Sequence, residues 1–177
     1  MAILQTLRLT LRPCCPDDRA DFIRLERDPE VMRFLNGGFA VNREKSGPDA
    51  GFLMPRGTED YVWTARRTGD GAFTGWFCLW PESAVCAELG YRLQREDWGH
   101  GLASEGAAAL IGWGFGTAGY ETIVATTMAV NHGSRRVMEK TGMMHTRTVL
   151  PEGPPDFPGC EEGEVWYELT RAEWNSR

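Results

Sequence analysis

The chain has 177 residues, 42% hydrophobic and 25% charged, with a formal net charge of -6. That length suits a single core, so one domain over residues 1–177 is expected, and the balance leaves little room for long disorder. The acidic charge excludes general binding to nucleic acid or to an acidic membrane surface, both of which need a dense basic face.

The opening "LQTLRLTLRP" alternates leucine with Thr and Arg until Pro13 stops it, which predicts a first strand over residues 6–12. It has no long apolar core, so no signal peptide and a cytoplasmic location are expected. In "PDDRADFIRLERDPEVMRFL" the apolar residues recur at helical spacing on either side of Pro29, which predicts two short helices. Residues 36–60 carry glycines, prolines and mixed charge without periodicity. Such a long connection reads either as an acceptor-binding lid or as a disordered insertion.

Three strand signals follow, "YVWTARR", "GAFTGWFCLWP" and "CAELGYRLQ", as an antiparallel meander. "DWGHGLASEGAAALIGWGF" then predicts a long helix with glycines crowding its start. "ETIVATTMAV" predicts a strand, "HGSRRVMEKTG" a helix ending at Gly142, and "MHTRTVL" and "EVWYELT" two closing strands. The order β-α-α-β-β-β-α-β-α-β-β is mixed α/β without repeats. Trp63, Trp76, Trp80 and Trp166 fall on strands as core or pocket walls, and a one-residue slip in register would reverse their face.

Two glycine motifs compete for a phosphate-bearing ligand. "GFGTAG" has the literal G-x-G-x-x-G spacing at Gly114, Gly116 and Gly119, but it closes a helix and leads into a strand, the reverse of a dinucleotide fingerprint. It reads as a helix C-terminus and a turn. Gly99 and Gly101 instead follow a strand and open a helix. Unpaired N–H groups and the partial positive charge at a helix start suit a pyrophosphate, and glycine lets the backbone approach it.

"DWGHGLASEGAAALIGWGF" together with "ATTMAVNHGSRRVMEKTGM" resembles the GNAT superfamily of acyl-CoA-dependent N-acetyltransferases, in particular the branch that includes the ribosomal-protein N-terminal acetyltransferases. The resemblance covers most of the chain. It implies an α/β (α+β) fold with a mixed, largely antiparallel central sheet of about seven strands, flanked by helices and splayed at the CoA site. It also implies acetyl-CoA as cosubstrate and no metal. The family's Q/R-x-x-G-x-G/A loop maps onto Trp98, Gly99, His100, Gly101, Leu102 and Ala103, with Trp98 departing from Gln/Arg. Gly99, Gly101, Ala103 and Ser104 are the implied pyrophosphate set.

A second motif, N-x-x-S, falls at Asn131 to Ser134. By similarity Asn131 holds the pantetheine arm, and Ser134 protonates or solvates the departing thiolate. Without the family, the same residues read as a helix start with Asn131 as N-cap. Arg135 and Arg136 are candidates for the nucleotide phosphates or for surface solvation. The resemblance also assigns backbone groups near Gly90, Tyr91 and Arg92 to the pantetheine and thioester carbonyl, with Leu93 at the strand's end. Glu88 is the candidate general base on that strand, directly or through water, against the alternative of an exposed or salt-bridged strand glutamate.

His100, His132 and His145 are too scattered for a metal site, and the five cysteines show no C-x-x-C spacing. The expected activity is acetyl transfer from acetyl-CoA to a primary amine, a protein N-terminus or a small molecule, by direct transfer. A non-catalytic acyl-CoA-binding sensor or scaffold is the alternative, and a dinucleotide oxidoreductase has only the decoy "GFGTAG" behind it. The acceptor is expected to meet residues 36–60 and 151–164. There Asp156, Glu161, Glu162 and Glu164 mark either a site for a cationic amine or a solvated loop. Exposed strand edges at the C-terminal end suit a homodimer.

Overall fold

The structure, a computed structural model, describes residues 2–39, 55–153 and 156–177. Eight strands form one open sheet in the order β1-β2-β3-β4-β5-β6-β8-β7. They are β1 (Leu4–Gln5), β2 (Leu9–Pro13), β3 (Val62–Arg67), β4 (Phe73–Pro81), β5 (Cys86–Leu93), β6 (Thr122–Met128), β7 (Met144–Val149) and β8 (Glu164–Thr170). Among the described residues only β5 and β6 run parallel. The fold class and largely antiparallel sheet match expectation, with one strand more than about seven. The extra strand arises where the first predicted strand divides. Thr6 donates its amide to the Leu9 carbonyl (2.8 Å) and accepts the Leu9 amide on its hydroxyl (2.9 Å), leaving Leu7 exposed between two short strands.

Helices α1 (Arg19–Glu26) and α2 (Pro29–Asn36) cover one face of the sheet. The break between them is local chemistry. Asp28 caps α2 by accepting the Glu30 amide at 2.9 Å, and Pro29 takes the first helical position, where its missing N–H costs nothing. Helix α3 (Leu102–Trp113) covers the other face with α4 (His132–Lys140), and a short α5 (Arg171–Asn175) closes the chain.

The run of small residues in α3 serves close packing. A Cβ at Gly106 would lie 2.3 Å from the Phe77 ring, so only glycine lets the helix sit this near β4. "GFGTAG" forms a π-helical turn over Gly114–Ala118 that ends in left-handed Gly119, so it closes a helix as expected.

Strand β4 divides two cores, by alternation from Gly75 onward and by the irregularity at its start, where Ala65 pairs with Gly75 and Arg66 with Phe73, which turns Phe73 to the face of Trp76. Phe77 and Leu79 pack toward α3 with Leu89, Leu110, Ile111 and Ile123. Phe73 and Trp76 pack toward α1 and α2 with Phe22, Leu25 and Met32. Trp63 lies wholly buried on the α3 side, whereas Trp80 is exposed. Edge strand β7 is solvent-exposed along its length. Among the described residues no helix is long and apolar enough to cross a membrane.

Candidate active site

The sheet is continuous except at one place. Strand β5 pairs with β4 from Ala87 to Leu93. Its other edge pairs with β6 only from Cys86 to Glu88, opposite Thr122 to Val124. Beyond Glu88 the strands separate, and the outward backbone groups of residues 89–93 have no strand partner. A cavity of about 850 Å³ fills the opening. It is walled by β4, β5, α2, the turn before α3 and the start of α4.

Glu88 stands where the pairing ends. Its carboxylate is part-buried and accepts one hydrogen bond, from the Thr126 hydroxyl at 3.0 Å. Burial pushes its pKa above the ordinary carboxylate value, the Thr126 bond and the Arg92 charge oppose that rise, and Glu82 and Glu164 add to it. A carboxylate in that state is a stronger base than an exposed one.

On the opposite face of β5, the Tyr91 hydroxyl lies 2.9 Å from Ser134 Oγ and 3.1 Å from the Ser134 carbonyl. Burial pushes the Tyr91 pKa up to about 12, the Ser134 bond opposing it, so the phenol is protonated at neutral pH. Ser134 is set by the start of α4, where Asn131 Oδ1 accepts the Ser134 amide at 3.2 Å and Asn131 Nδ2 donates to Thr127 Oγ1 at 3.0 Å. Asn131 is therefore the N-cap that its sequence position predicts.

Gly99 and Gly101 adopt φ of 77° and 79°, conformations that favour glycine. A side chain at Gly99 would project into open space. Among the described residues no side chain caps the first amides of α3, which leaves donors beside the cavity at Leu102, Ala103 and Ser104. Trp98, at the position that departs from Gln/Arg, donates its indole N–H to the Leu93 carbonyl at 2.9 Å and so ties the turn to the end of β5.

A brace that sequence reading missed holds this turn from behind. Arg8 Nη1 donates to the His100 carbonyl at 2.8 Å. Glu105, in the first turn of α3, accepts from the Arg8 amide at 2.8 Å, from Arg8 Nε at 2.7 Å and from the Thr6 hydroxyl. These partners lie 97 and 99 positions apart in the chain, beyond any local pattern.

The structure thus brings Glu88, Gly90, Tyr91, Arg92, Trp98, Gly99, Gly101, Leu102, Ala103, Ser104, Asn131, Ser134 and Arg136 to one cavity. It does not bring His100 or Arg135 there. His100 lies behind the turn. Arg135 donates to the Ala129 carbonyl (3.0 Å) and the Tyr167 hydroxyl (3.2 Å), while its neighbour Arg136 faces the opening. Of the acidic cluster, Glu164 lines the cavity and Asp156, Glu161 and Glu162 are exposed. Residues 40–54, most of the expected lid, lie outside the described residues, as do residues 154–155 of the second acceptor loop.

Cys78 also lines the cavity, but burial pushes its thiol to about 12, so it offers no thiolate nucleophile at neutral pH. Among the described residues no three His, Cys, Asp or Glu side chains are grouped to hold a metal ion.

Comparison with known proteins agrees with this geometry. The family model described as "Acetyltransferase (GNAT) domain" matches residues 8–144. The FsC-acetyl coenzyme A-N(2)-transacetylase of Aspergillus fumigatus is 32% identical over 183 residues, spanning 97% of this chain and 77% of the relative. A GNAT-family acetyltransferase from Bacillus anthracis superposes with a TM-score of 0.77 at 21% identity, covering 97% of this chain and all of the other. Spermidine N-acetyltransferase from Vibrio cholerae, solved with CoA and spermine, superposes with a TM-score of 0.74 at 14% identity, over 96% of this chain and 99% of the other. The chain belongs to the GNAT acetyltransferase family.

Proposed function

We propose that this chain, acting as a single domain over residues 1–177, transfers an acetyl group from acetyl-CoA to a primary amine by direct transfer. The observation that carries the reading is the position of Glu88, a part-buried carboxylate with a raised pKa at the point where β5 leaves β6. The cavity suits an acyl-CoA: uncapped amides at the start of α3 fit the pyrophosphate, and the unpaired edge of β5 fits an amide-bearing arm.

Gly99, Gly101, Ala103 and Ser104 hold the phosphates, with Arg136 beside them. Backbone groups of Gly90, Tyr91 and Arg92, with Asn131, orient the pantetheine. Bound acetyl-CoA supplies the acetyl carbon and a thiolate leaving group, so an N–C bond forms as a C–S bond breaks. Glu88 takes the proton that the amine loses, directly or through water. The Tyr91–Ser134 hydroxyl pair returns a proton to sulfur and regains one from solvent.

The acceptor amine belongs to a small molecule or to a protein N-terminus. The fungal relative is named for transfer to an N(2) position and the Vibrio enzyme for spermidine, which supports the small-molecule side. The narrower likeness to ribosomal-protein N-terminal acetyltransferases, a cytoplasmic location and a homodimer through the edge at β7 belong to the same proposal.

The test is calorimetric titration with acetyl-CoA, with NAD in parallel, followed by a thiol-release assay on a panel of amines. One-site binding of acetyl-CoA and amine-dependent thiol release are expected. Binding of NAD alone would overturn the choice of glycine motif. Tight acetyl-CoA binding without transfer to any amine would return the non-catalytic sensor.

A further inference from the structure

The face of the β4–β5 ladder that looks toward α2 is built from three successive cross-strand pairs: Trp76 with Arg92, Cys78 with Gly90, and Trp80 with Glu88. All of these residues line the cavity. Glu88 and Arg92 are four residues apart on one strand, so their Cα atoms stand about 13 Å apart at roughly 3.3 Å per residue. Between them Gly90 bears no side chain, and Cys78 Sγ packs over it, where a Cβ would lie 2.8 Å away. The result is a slot with a carboxylate at one end, a guanidinium at the other and tryptophan along its wall.

The guanidinium is the unusual member. Four other arginines on or against the sheet have anionic partners: Arg8 with Glu105, Arg12 with Asp18, Arg66 with Asp21, and Arg67 with Asp70 and Asp97. Arg92 has none among the described residues. One terminal nitrogen donates to the Tyr91 carbonyl at 2.9 Å. Its Nε is fully buried and donates to no group among the described residues. The guanidinium lies 5.7 Å from the Trp76 ring centroid, which orients it along the wall. Burial lowers its pKa from the ordinary arginine value, a cost that a bound anion offsets. The remaining charges around the opening make no ion pair with it among the described residues: Arg33 and Glu30 on α2 pair with each other at 3.3 Å, Asp97 pairs with Arg67 at 3.0 Å, Glu164 opens β8, and Arg136 and Lys140 belong to α4.

We propose that Arg92 binds a carboxylate of the acceptor, so that the preferred acceptor is a zwitterion: a primary amine that also carries a carboxylate, with the amine toward Glu88 and the carboxylate on the guanidinium beside Trp76. This rests on the transfer reading above and narrows its substrate class. A planar fork suits a carboxylate, and a buried cation left unpaired disfavours an acceptor that lacks one.

The experiment compares kcat/KM for ω-amino acids of increasing chain length with that for the matching ω-amino amides and for spermidine, in the wild-type enzyme with saturating acetyl-CoA. The carboxylate acceptors are expected to be favoured by roughly 10- to 100-fold over their amides at the best length. Arg92→Gln is expected to bring that ratio close to one, and Arg92→Lys, which keeps the charge but loses the fork, to leave an intermediate ratio. Equal rates for carboxylates and amides in the wild type overturn the inference and leave acetyl transfer standing. A loss in Arg92→Gln that falls equally on both acceptor series, or on KM for acetyl-CoA alone, also overturns it. Absence of transfer to every amine instead overturns the transfer reading, and this inference with it. Should Arg92→Gln fail to fold, the wild-type acceptor ratio still decides.

Discussion

The node around Asp18 and the cavity around Glu88 each enclose a carboxylate, and the two are held in opposite electrostatic states. Asp18, wholly buried where β2, β3 and α1 meet, accepts from Arg12 at 2.6 and 2.8 Å, from the Thr64 hydroxyl at 2.6 Å and from the Cys15 amide at 3.0 Å. Burial alone would raise its pKa, but these bonds outweigh burial and hold it at about 2. Glu88 is less buried yet has one neutral donor, so burial prevails and its pKa rises. Donor count, more than depth, separates a carboxylate that holds the fold from one available for proton transfer. The sign of linkage differs too. Asp18 stabilises the fold above its unfolded pKa, whereas Glu88 favours the fold in acid and loses that contribution as pH rises through its folded pKa.

The sharpest way to break this contrast is Glu88→Gln. If Glu88 is the base, kcat/KM at neutral pH falls by about 10² to 10⁴, and the acid limb of the pH-rate profile disappears. Because the change removes a charge that burial disfavours, the melting temperature at pH 7 should not fall. An unchanged pH profile would remove Glu88 from the mechanism.

Asp18→Ala is the converse change. It strands the part-buried Arg12 guanidinium and should cost about 3 kcal/mol, a fall in melting temperature of roughly 6 to 12 °C for a chain of this size. Activity per folded molecule should be retained. The wild-type protein should also lose about 2 kcal/mol as pH drops from near the unfolded aspartate value of about 3.9 toward 2. Chemical denaturation across that window measures the loss, and Asp18→Ala should lack this component. Equal pH dependence in both proteins would mean that Asp18 is not the group being titrated.

Much of this was legible in the chain itself, for identifiable reasons. The Gly99–Gly101 turn and the "GFGTAG" decoy were separable because strand-to-helix order is a local property. Asn131 was readable as a cap because the amide that donates to it lies only three residues on. Other features are long-range. The Tyr91–Ser134 contact spans 43 positions, and no periodicity links them. Register parity, set by β3–β4 and β4–β5 pairing, decides that Trp76 and Trp80 face the cavity while Trp63, opposite Phe77, enters the other core. Arg135 and Arg136 looked equivalent in sequence, but adjacent helix residues point roughly 100° apart, so one faces the opening while the other is tied to Tyr167. The division of the first strand was hidden because Thr6 turns the chain with its own side chain inside an otherwise regular alternation.

The smallest change tests whether donor count is the controlling variable. Thr126→Val removes the one hydroxyl that favours ionised Glu88 while nearly preserving shape. With that donor gone, burial acts unopposed by a hydrogen bond, so the Glu88 pKa moves further up. The acid limb of kcat/KM should shift to higher pH, and the rate at neutral pH should fall by less than about tenfold. The plateau at high pH should be kept, because there Glu88 is ionised in either protein. A Glu88 that works only through its ionisation must show this pattern of displaced limb and intact plateau. A lowered plateau with an unmoved limb would mean instead that Thr126 acts on the acceptor directly, and that something other than hydrogen bonding sets the state of Glu88.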